Sequence, residues 1–435
     1  METHLPRGVH KILTLLLENQ CRAFIAGGAV RDMVAGLPPA DFDIVTDASL
    51  ETIKQTFKNQ RVKIVGKSFH VCLVNGIEVA SFRGDRTKFP LADLEQRDFT
   101  INSMAWDPVT RQIFDPFSGE QDLKRKIIQF TGNGPLRIRE DPLRMVRACR
   151  FVSQIGGTLA PETLGDIKTH GRLVGANVAK ERIRMEILKA MAHDRPSLFF
   201  RSLQATGLLI QIFPCLDRLV DLDGGPFHGE TVFEHSMMVG DALSPKRPLL
   251  RLAGFLHDAG KFDTAAIKEG NLTFHGHEKA RDKIEADLVN LKFSTRERRY
   301  ILSIIDVHMR PLTEKTTPRA VRRILALLES HGVSYQEFMR MRIADKRSNL
   351  AKQPYTLGEI RNRVQKFKNE LAPRGIQAFT PADLAIDGNR IMALLNLDPG
   401  PEVGRIMGVL FERVLDDPNL NTPSALEALV LSLDP

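Results

Sequence analysis

Two aspartates, Asp41 and Asp43, stand two positions apart in a segment that is typical of a strand. Alternate residues of a strand point to the same face, so both carboxylates are expected on one side of a sheet. Gly27 and Gly28 precede them, between an apolar run and a short amphipathic segment that predicts a helix. Glycines at such a junction let the backbone approach a ligand closely, and the helix start offers free N–H groups to a phosphate. Paired carboxylates facing a phosphate-binding turn are the arrangement that Mg²⁺-dependent phosphoryl transfer requires.

A second group of metal-ligand residue types lies in the middle of the chain. His257 and Asp258 are adjacent at the end of an apolar helical pattern, with His235 before them and Asp345 after them. Three more histidines follow in the sequence: His275, His277 and His308. A single buried histidine is more often a core residue than a ligand, but the ordered set is not easily explained that way. Imidazole and carboxylate together suit a transition metal, so we expect the first four residues to bind one or two divalent metal ions.

A third pattern, REDPLRMVRACRF, spans Arg139 to Phe151 and has helical spacing. Asp141, Arg144 and Arg147 are three residues apart, which predicts that all three share one face of a helix. One interpretation is an acidic N-terminal cap followed by a solvated arginine stripe. The other is selection of a nucleobase. Cytosine and adenine each present an amine beside a ring-nitrogen acceptor, so a carboxylate next to a guanidinium would accept both bases and reject uracil and guanine.

The elements that must position these groups change in type along the chain. Up to about residue 130 short strands alternate with helices, and the turn Asn75–Gly76 between two apolar runs predicts a hairpin. The predicted strands are Val62–Val65, Val71–Val74 and Ile77–Phe82. From Lys124 onward the pattern is almost entirely helical. The sequence therefore predicts an α+β fold, with a small mixed sheet and helices near the N-terminus and all-helical domains after it.

Length and composition limit the classes of protein to consider. A chain of 435 residues predicts two to four domains, and a formal net charge of +8 favours a polyanionic partner. The four cysteines are scattered without a C-x-x-C pair, which argues against a disulfide framework and fits a reducing cytosol. The N-terminal apolar run is too short for a membrane span. We therefore expect a cytoplasmic protein with no membrane partner, and no obligate protein partner is evident.

The ordered combination of GG-x-x-R-D, a glycine and then D-x-D resembles the nucleotidyltransferase head of the DNA polymerase beta superfamily. Within that superfamily it is similar to the bacterial tRNA nucleotidyltransferase and poly(A) polymerase family. The resemblance implies that Asp41 and Asp43 are catalytic ligands of Mg²⁺. Glu78, in the hairpin, is either a third catalytic carboxylate or an exposed strand residue. The resemblance also implies a set of nucleotide-binding residues: Gly27, Gly28, Arg31, Asp32, Arg97, Asn102, Asp141, Arg144 and Arg147.

Three of these roles follow more closely from the resemblance. Arg97 would hold the triphosphate, because a guanidinium offers a planar, bidentate fork to phosphate. Asn102 would lie near the nucleotide. The family usually has a second arginine where this chain has Gln96, so that role is not transferred. Asp141 and Arg144 match the family motif E-D-x-x-R, which serves as a protein template in place of a nucleic-acid one.

The resemblance covers most of the chain and divides it into four parts. Residues 1–130 would form the nucleotidyltransferase head, and residues 131–195 a helical neck that binds nucleotide and RNA. Residues 196–350 resemble the HD phosphohydrolase superfamily, and residues 351–435 would form a helical tail for tRNA binding. Ala179–Met191 resembles the motif that closes the neck. The arginines from Arg296 to Arg323 are either a solvated helix face or a surface for the RNA backbone.

Three functions compete on these grounds. The first is a tRNA nucleotidyltransferase that adds C and/or A, from CTP and ATP, to the tRNA 3′ end. The second is a poly(A) polymerase, and the third is a metal-dependent HD phosphohydrolase with a vestigial head. The intact head motifs speak against the third, and the segment after Gly66 lacks the paired basic residues associated with poly(A) polymerases. The segment between Arg83 and Arg97 is shorter than is usual in the family, as in enzymes that add only cytidines, which predicts a bias towards C addition.

Overall fold

The structure is a computed structural model that describes residues 5–65, 71–81, 89–226, 228–372 and 379–433. It has the predicted α+β class, with a mixed sheet in the N-terminal part followed mainly by helices. The chain forms two compact units, Met1–Ile212 and Phe213–Pro435. Within the described ranges, no helix is both long enough and apolar enough to cross a membrane.

The first unit begins with the mixed sheet and its flanking helices. The strands are β1 (Ala23–Ala26), β2 (Asp43–Thr46), β3 (Val62–Val65), β4 (Val71–Val74), β5 (Ile77–Ser81), β6 (Ala105–Trp106) and β7 (Ile113–Phe114). The helices are α1 (Arg7–Glu18), α2 (Gly28–Val34), α3 (Leu50–Thr56), α4 (Leu91–Glu95) and α5 (Gly119–Arg125), with a 3₁₀ turn at Thr100–Asn102. The order across the sheet is β3-β4-β5-β2-β1-β6-β7. Strands β2 and β5 are parallel, and the other neighbours are antiparallel.

An amphipathic helix closes one face of this sheet. In α1 the buried side chains Val9, Ile12, Leu13 and Leu16 recur at helical spacing, so they form one apolar stripe. The stripe joins a core that contains the central-strand residues Ile25 on β1, Ile44 on β2 and Val79 on β5. The two strands that meet at the β2–β5 pairing are therefore held by burial on this face.

The strand predicted from Asp41 begins at Asp43 instead. Strand β1 pairs with β2 only as far as Ala26 and Asp43, because the chain leaves the sheet at Gly27, where φ is +77°. Asp41 therefore precedes the ladder, and the prediction that both aspartates share one strand is wrong for Asp41. The hairpin prediction is confirmed at Asn75–Gly76, and the predicted strand to Phe82 ends at Ser81, with Phe82 outside the described residues.

The rest of the first unit is helical apart from one short parallel pair. That pair joins β8 (Ile127–Ile128) to β9 (Thr158–Leu159). The helices are α6 (Gly134–Glu140), α7 (Leu143–Ile155), α8 (Pro161–His170), α9 (Arg172–Asn177), α10 (Lys180–Ala190), α11 (Ser197–Thr206) and α12 (Leu209–Ile212). A buried ion pair between Arg150 on α7 and Glu186 on α10 ties these two helices together. The finer division into a neck ending at residue 195 stays a prediction.

The second unit is helical with one small hairpin. Its helices are α13 (Pro214–Asp217), α14 (Val232–Ala242), α15 (Pro248–Leu256), α16 (Lys261–Thr264), α17 (Asp282–Asn290), α18 (Thr295–Val307), α19 (Pro318–Ser330), α20 (Tyr335–Ser348), α21 (Leu357–Leu371), α22 (Gly388–Leu395), α23 (Pro401–Asp416) and α24 (Pro423–Ser432). The hairpin strands are β10 (Ala266–Lys268) and β11 (Asn271–Thr273), and 3₁₀ turns lie at Pro381–Asp383 and Pro418–Leu420. Helices α22, α23 and α24 share a separate apolar core.

Candidate active site and metal centre

Three carboxylates meet at one end of the sheet, where the neighbouring strands β2 and β5 begin. The parallel register places Glu78 directly opposite Asp43, and adjacent strands lie about 4.8 Å apart. Asp41 stands two residues before Asp43 and is exposed, as is Glu78, whereas Asp43 is half-buried. We call Asp41, Asp43 and Glu78 the carboxylate cluster. The sequence left the role of Glu78 open, and the structure places it beside Asp43.

Burial and mutual repulsion both act on the carboxylate cluster. Burial raises the pKa of Asp43, with Asp41 and Asp93 adding to the rise and Arg97 opposing it. Burial also raises the pKa of Glu78, and the neighbouring Asp43 and Asp41 raise it further. A hard divalent cation between carboxylates offsets the repulsion between their charges, and Mg²⁺ prefers carboxylate oxygens. The cluster therefore fits a site for such a cation.

Gly27 makes room for an arginine next to this cluster. A Cβ at Gly27 would lie 2.3 Å from Nη1 of Arg97 and 3.7 Å from Oδ2 of Asp43, and its φ of +77° is a conformation that favours glycine. Arg97 is held from behind by Asp93, whose Oδ2 lies 3.1 Å from both Nε and Nη2. The Nη1 end of the guanidinium is thus fixed over the glycine, within reach of a phosphate near Asp43.

A chain of buried polar contacts extends from α2 to α7. Arg31 donates from Nη1 to Oδ1 of Asn102 at 2.8 Å, and Asn102 donates from Nδ2 to Oδ1 of Asp98 at 3.0 Å. Arg147 on α7 completes the chain, with Nη2 at 2.5 Å from Oδ2 of Asp98. Asp32 accepts two hydrogen bonds from the same Arg31 side chain. Four predicted nucleotide-binding residues are therefore one connected network: Arg31, Asp32, Asn102 and Arg147.

Asp98 is the member of this network that sequence reasoning did not assign. Burial alone would raise its pKa, but Arg147 and the hydrogen bond from Asn102 lower the pKa below its ordinary value, so Asp98 stays ionised. It contacts both Asn102 and Arg147 and so fixes their orientation, and it also lines the cavities that contain these residues. Its direct adjacency to Arg97 was the available signal.

The predicted base-selecting residues do not share one helix face. Asp141 lies between α6 and α7 with an extended backbone (φ −152°, ψ 98°), because the following Pro142 disfavours a helical conformation at the preceding residue. Arg144 and Arg147 are on α7, so the prediction of one common helix face is wrong for Asp141. Both carboxylate oxygens of Asp141 accept from Arg182 on α10, at 3.0 and 2.7 Å.

Arg144 is held by different partners. Its Nη1 donates to the Arg137 carbonyl at 3.0 Å and to Oε2 of Glu140 at 2.6 Å, and its Nη2 donates to the Gln96 carbonyl at 3.1 Å. The backbone of Gln96 therefore fixes this guanidinium, although its side chain departs from the family motif. Asp141 and Arg144 are therefore anchored separately, by different residues.

Two adjoining cavities contain these residues. Both lie in the first unit, and the larger, of about 860 Å³, contains the carboxylate cluster and the polar network. The second unit has a separate cavity of about 720 Å³. The predicted residues in the larger cavity of the first unit are Gly28, Arg31, Asp32, Asp41, Asp43, Glu78, Arg97, Asn102 and Arg147. A smaller cavity of about 330 Å³ contains Asp141 and Arg144. Five residues line both: Asp43, Glu78, Arg97, Asp98 and Arg147.

The histidines and aspartates predicted to bind metal meet inside the second unit. His235 lies on α14, His257 and Asp258 follow α15, and Asp345 lies on α20. Nε2 of His235 is 3.1 Å from Oδ1 of Asp345 and 3.8 Å from Oδ2 of Asp258. His277 and His308 join them: Nε2 of His277 is 3.1 Å from Oδ1 of Asp258 and 3.3 Å from Nε2 of His308. We call these residues the histidine–aspartate cluster: His235, His257, Asp258, His277, His308 and Asp345.

Backbone carbonyls fix the orientation of three of these imidazoles. Nδ1 lies 2.8 Å from the Gly254 carbonyl in His257, 3.0 Å from the Phe274 carbonyl in His277 and 2.5 Å from the Ile305 carbonyl in His308. A carbonyl can only accept, so a proton belongs on Nδ1 of each ring, and Nε2 is the atom that faces the cluster. His235 is oriented by Glu230, whose Oε1 is 3.1 Å from its Nδ1. Metal-binding histidines are commonly oriented in this way.

The histidine–aspartate cluster also fits metal binding in its charge and its unpaired atoms. Burial, with His257 and His277 nearby, lowers the pKa of His308 to about 3, so its imidazole is neutral near pH 7. Nε2 of His257 is buried and, among the described residues, forms no hydrogen bond. The ligand atoms of His235, His257 and Asp345 lie within 4.8 Å of one another, as do those of His257, Asp258 and His308. These overlapping sets can hold one or two ions.

Cationic side chains surround the cavity over this cluster. Lys261 lies closest, with Nζ 2.8 Å from Oδ2 of Asp258. The cavity, of about 720 Å³, is also lined by Arg342, Lys346, Lys352 and Arg363, besides Asp258, His277, His308 and Asp345. Arg342 donates to the His308 carbonyl at 3.0 Å and so supports the cluster. An anionic ligand next to a metal suits this surface.

The comparisons with known proteins agree with this geometry. Residues 23–129 match the model of the poly A polymerase head domain, and residues 157–219 match a probable RNA and SrmB-binding site of polymerase A. The A-adding tRNA nucleotidyltransferase of Deinococcus radiodurans is 30% identical over 431 residues, which is 94% of this chain and 94% of that protein. The chain belongs to the bacterial tRNA nucleotidyltransferase and poly(A) polymerase family.

Other members of this family match about half of the chain. The multifunctional CCA protein of Methylococcus capsulatus is 35% identical over 270 residues, 55% of this chain and 61% of that protein. Poly(A) polymerase I of Salmonella typhimurium is 31% identical over 241 residues, 49% of this chain and 51% of that protein. The family depends on divalent metal, so a cation at the carboxylate cluster is in keeping with membership.

Solved structures share the fold. The Bacillus stearothermophilus CCA-adding enzyme in complex with CTP has a TM-score of 0.71 and 23% identity, covering 98% of this chain and 96% of that one. The Thermotoga maritima CCA-adding enzyme complexed with tRNA has a TM-score of 0.61 and 19% identity, covering 100% and 97%. At these identities the similarity shows that the chains share a fold and shows nothing further.

Proposed function

We propose that the protein adds C and/or A, from CTP and ATP, to the 3′ end of tRNA. The observation that carries the proposal is the shared lining of two cavities. One contains the carboxylate cluster, the other contains Asp141 and Arg144, and Asp43 and Arg97 line both. A nucleotide can therefore place its phosphates and its base edge at the two groups together. The A-adding relative and the CCA-adding structures support tRNA as the acceptor.

The carboxylate cluster would hold Mg²⁺, and Arg97 would hold the triphosphate. When bound, Mg²⁺ neutralises developing charge at the α-phosphate and lowers the pKa of the attacking 3′-hydroxyl. Gly27 keeps Arg97 close to Asp43, so the phosphates and the acceptor oxygen are brought together in one place. Asp98 keeps Asn102 and Arg147 in fixed orientations at the edge of the same cavity.

Asp141 and Arg144 would select the base. The carboxylate of Asp141 accepts a hydrogen bond from an exocyclic amine and repels a carbonyl oxygen at the same position. Arg144 donates to the ring nitrogen of cytosine or adenine, and would face an N–H donor in uracil or guanine. Separate anchors hold the two side chains before a nucleotide arrives, and this lowers the entropy cost of recognition.

Extension of tRNAs that lack all, two or one of the CCA nucleotides, each with one nucleotide triphosphate, tests this proposal. Addition of C or A, with little addition of U or G, is the expected result. Absence of any incorporation with all four nucleotides would overturn the proposal. Unlimited addition of A would favour the second candidate, a poly(A) polymerase, which the Salmonella typhimurium relative keeps open.

The same experiment decides which nucleotide is preferred. The short segment after Arg83 predicts a bias towards C, but residues 82–88 lie outside the described part of the chain. The Deinococcus radiodurans relative is an A-adding enzyme, which favours A. Efficient extension of a tRNA ending in CC by ATP alone would refute the bias towards C, and extension by CTP of a tRNA lacking CCA would refute a strict A-adding activity.

A second function is proposed for the histidine–aspartate cluster, namely binding of a divalent transition metal and hydrolysis of small phosphoesters. The carrying observation is that all four imidazoles are oriented through Nδ1, and that Nε2 of His235, His257 and His277 lies within 4 Å of Asp258 or Asp345. The surrounding cations would hold the phosphate. Metal analysis of the intact protein against the His257→Ala/Asp258→Ala variant tests it, and equal metal content would overturn it.

A tRNA substrate and four unpaired buried cysteines fit a cytoplasmic site of action.

A further inference from the structure

Arg182 on α10 contacts the predicted base-selecting carboxylate. Its Nη1 donates to Oδ1 of Asp141 at 3.0 Å and its Nη2 to Oδ2 at 2.7 Å, a two-pronged pair that links positions 41 residues apart. The two side chains are 51% and 29% exposed. Ion pairs with this exposure contribute little to folding stability. The geometry of the contact, rather than its stabilising effect, is therefore what distinguishes it.

The two-pronged contact fixes the plane of the carboxylate. Asp141 stands in an extended segment between two helices, where its side chain has more freedom than on a helix. The other contact made by its carboxylate is the backbone N–H of Leu143, 3.2 Å from Oδ1. Arg182 is the described side chain that holds both oxygens at once. A planar guanidinium fork matches a carboxylate in one orientation, whereas a single ammonium does not.

Arg182 is itself held in register with Arg144. Its helix α10 is joined to α7 by the buried pair of Arg150 and Glu186, and Arg144 lies on α7. The carboxylate and the guanidinium of the proposed template therefore have fixed relative positions, although they do not touch each other.

The contact leaves room for a base. Each carboxylate oxygen has two lone pairs, and Arg182 uses one on each oxygen. A remaining lone pair can accept the amine of cytosine or adenine without loss of the ion pair. A carboxylate only accepts hydrogen bonds and therefore discriminates against a carbonyl oxygen at that position.

We propose that Arg182 is a positioning residue for base selection, which acts by fixing the carboxylate plane of Asp141. The inference rests on the proposed role of Asp141 and extends it to a residue that touches no nucleotide. Its effect is on the choice between bases rather than on the transfer reaction.

The test compares nucleotide selectivity in the full-length protein. Arg182→Met keeps the length of the side chain and removes the fork, and Arg182→Lys keeps the charge with one donor centre. Selectivity is the ratio of kcat/KM for CTP over UTP, or for ATP over GTP, whichever correct nucleotide the unmodified enzyme uses faster. We expect Arg182→Met to lower this ratio about tenfold and Arg182→Lys to lower it less. Lys180→Met removes a charge from the same helix and should leave the ratio within about twofold.

Two outcomes separate this inference from the base-selection proposal. If Arg182 acts through Asp141, adding Arg182→Met to Asp141→Ala should change the ratio no further. Equal loss of rate for correct and incorrect nucleotides in Arg182→Met, while Asp141→Ala does lower the ratio, would show a merely structural role and overturn this inference alone. An unchanged ratio in Asp141→Ala would overturn the base-selection role and this inference with it.

Discussion

The two candidate metal sites differ in how much of their geometry the protein fixes by itself. In the histidine–aspartate cluster each imidazole is oriented by a carbonyl or by Glu230, and every member except Asp345 is buried. In the carboxylate cluster, Asp41 and Glu78 are exposed and repel Asp43. A prearranged site retains metal without substrate, whereas a repelling and exposed site is completed by the metal and nucleotide that bind to it. We therefore expect tight, persistent metal in the second unit and metal that exchanges with each nucleotide in the first.

The largest effect should come from the carboxylate cluster. Asp43→Ala removes the half-buried carboxylate that lines both cavities, so we expect nucleotide incorporation to fall by at least about a thousandfold. Extension of tRNA measures it. The metal content of the second unit should not change, and the far-ultraviolet circular dichroism spectrum provides the control for folding. Retained incorporation would remove the carboxylate cluster from the reaction.

A pair of neighbouring histidines tests the other side of the comparison. His277 is buried against Asp258 and His308, whereas His275 is exposed two residues earlier. We expect His277→Ala to weaken metal binding by more than about a hundredfold, and His275→Ala to leave it unchanged. Titration of the metal-depleted proteins with Zn²⁺ or Mn²⁺ measures both. Equal affinity in the two variants would exclude His277 from the cluster.

Two glycines with positive φ separate backbone strain from the placement of Arg97. A Cβ at Gly27 meets Nη1 of Arg97, but one at Gly36, where φ is +71°, meets nothing within 4 Å. Both alanine variants should lose some stability, because both backbones favour glycine. Only Gly27→Ala should also weaken kcat/KM for the nucleotide, by about thirtyfold, since the guanidinium must move. Similar kinetics in the two variants would show that the contact with Arg97 is irrelevant.

The smallest effect tests the orientation of a ligand rather than a ligand itself. Glu230→Gln keeps the size of the side chain and removes the charge that orients His235. We expect about tenfold weaker metal binding, the size usual for outer partners of metal ligands. Glu297→Gln provides a comparison, because that carboxylate accepts from Ser294 at the start of α18 instead. Full affinity in Glu230→Gln would mean that burial alone orients His235.

Local sequence patterns predicted the parts of the fold that depend on neighbours in the chain. The hairpin at Asn75–Gly76 follows from its turn residues, and the short helix after Gly27 follows from its amphipathic pattern. The prediction that Asp41 lies on a strand is wrong because the alternation of residues does not show where the neighbouring strand ends. Strand β1 ends before Gly27, and its pairing with β2 therefore stops at Asp43. The Asp43–Glu78 pairing joins positions 35 residues apart, and the sequence could offer it only as an alternative.

Long-range charge pairs were the least predictable feature. From the sequence, Arg319, Arg322 and Arg323 are by default a solvated helix face, with a surface for the RNA backbone as the alternative. In the structure Arg322 is buried and donates to the Leu415 and Asp416 carbonyls at the end of α23, and the other two contact the Asp416 side chain. A cation at the carboxyl end of a helix is favourable there. The same limitation hid the contact of Arg182 with Asp141, because neither spacing nor composition shows which carboxylate an arginine will meet.

The shared lining of the two cavities in the first unit has a consequence for accuracy. Asp43, Glu78, Arg97 and Arg147 border the space for the phosphates and the space for the base. A nucleotide with the wrong pairing edge would therefore have its reacting phosphorus misplaced, in addition to a poor contact with Asp141. Errors should then be suppressed through slow turnover more than through weak association. Single-turnover measurements with saturating UTP or GTP would show this as a reduced maximal rate, with half-saturation near that of CTP or ATP.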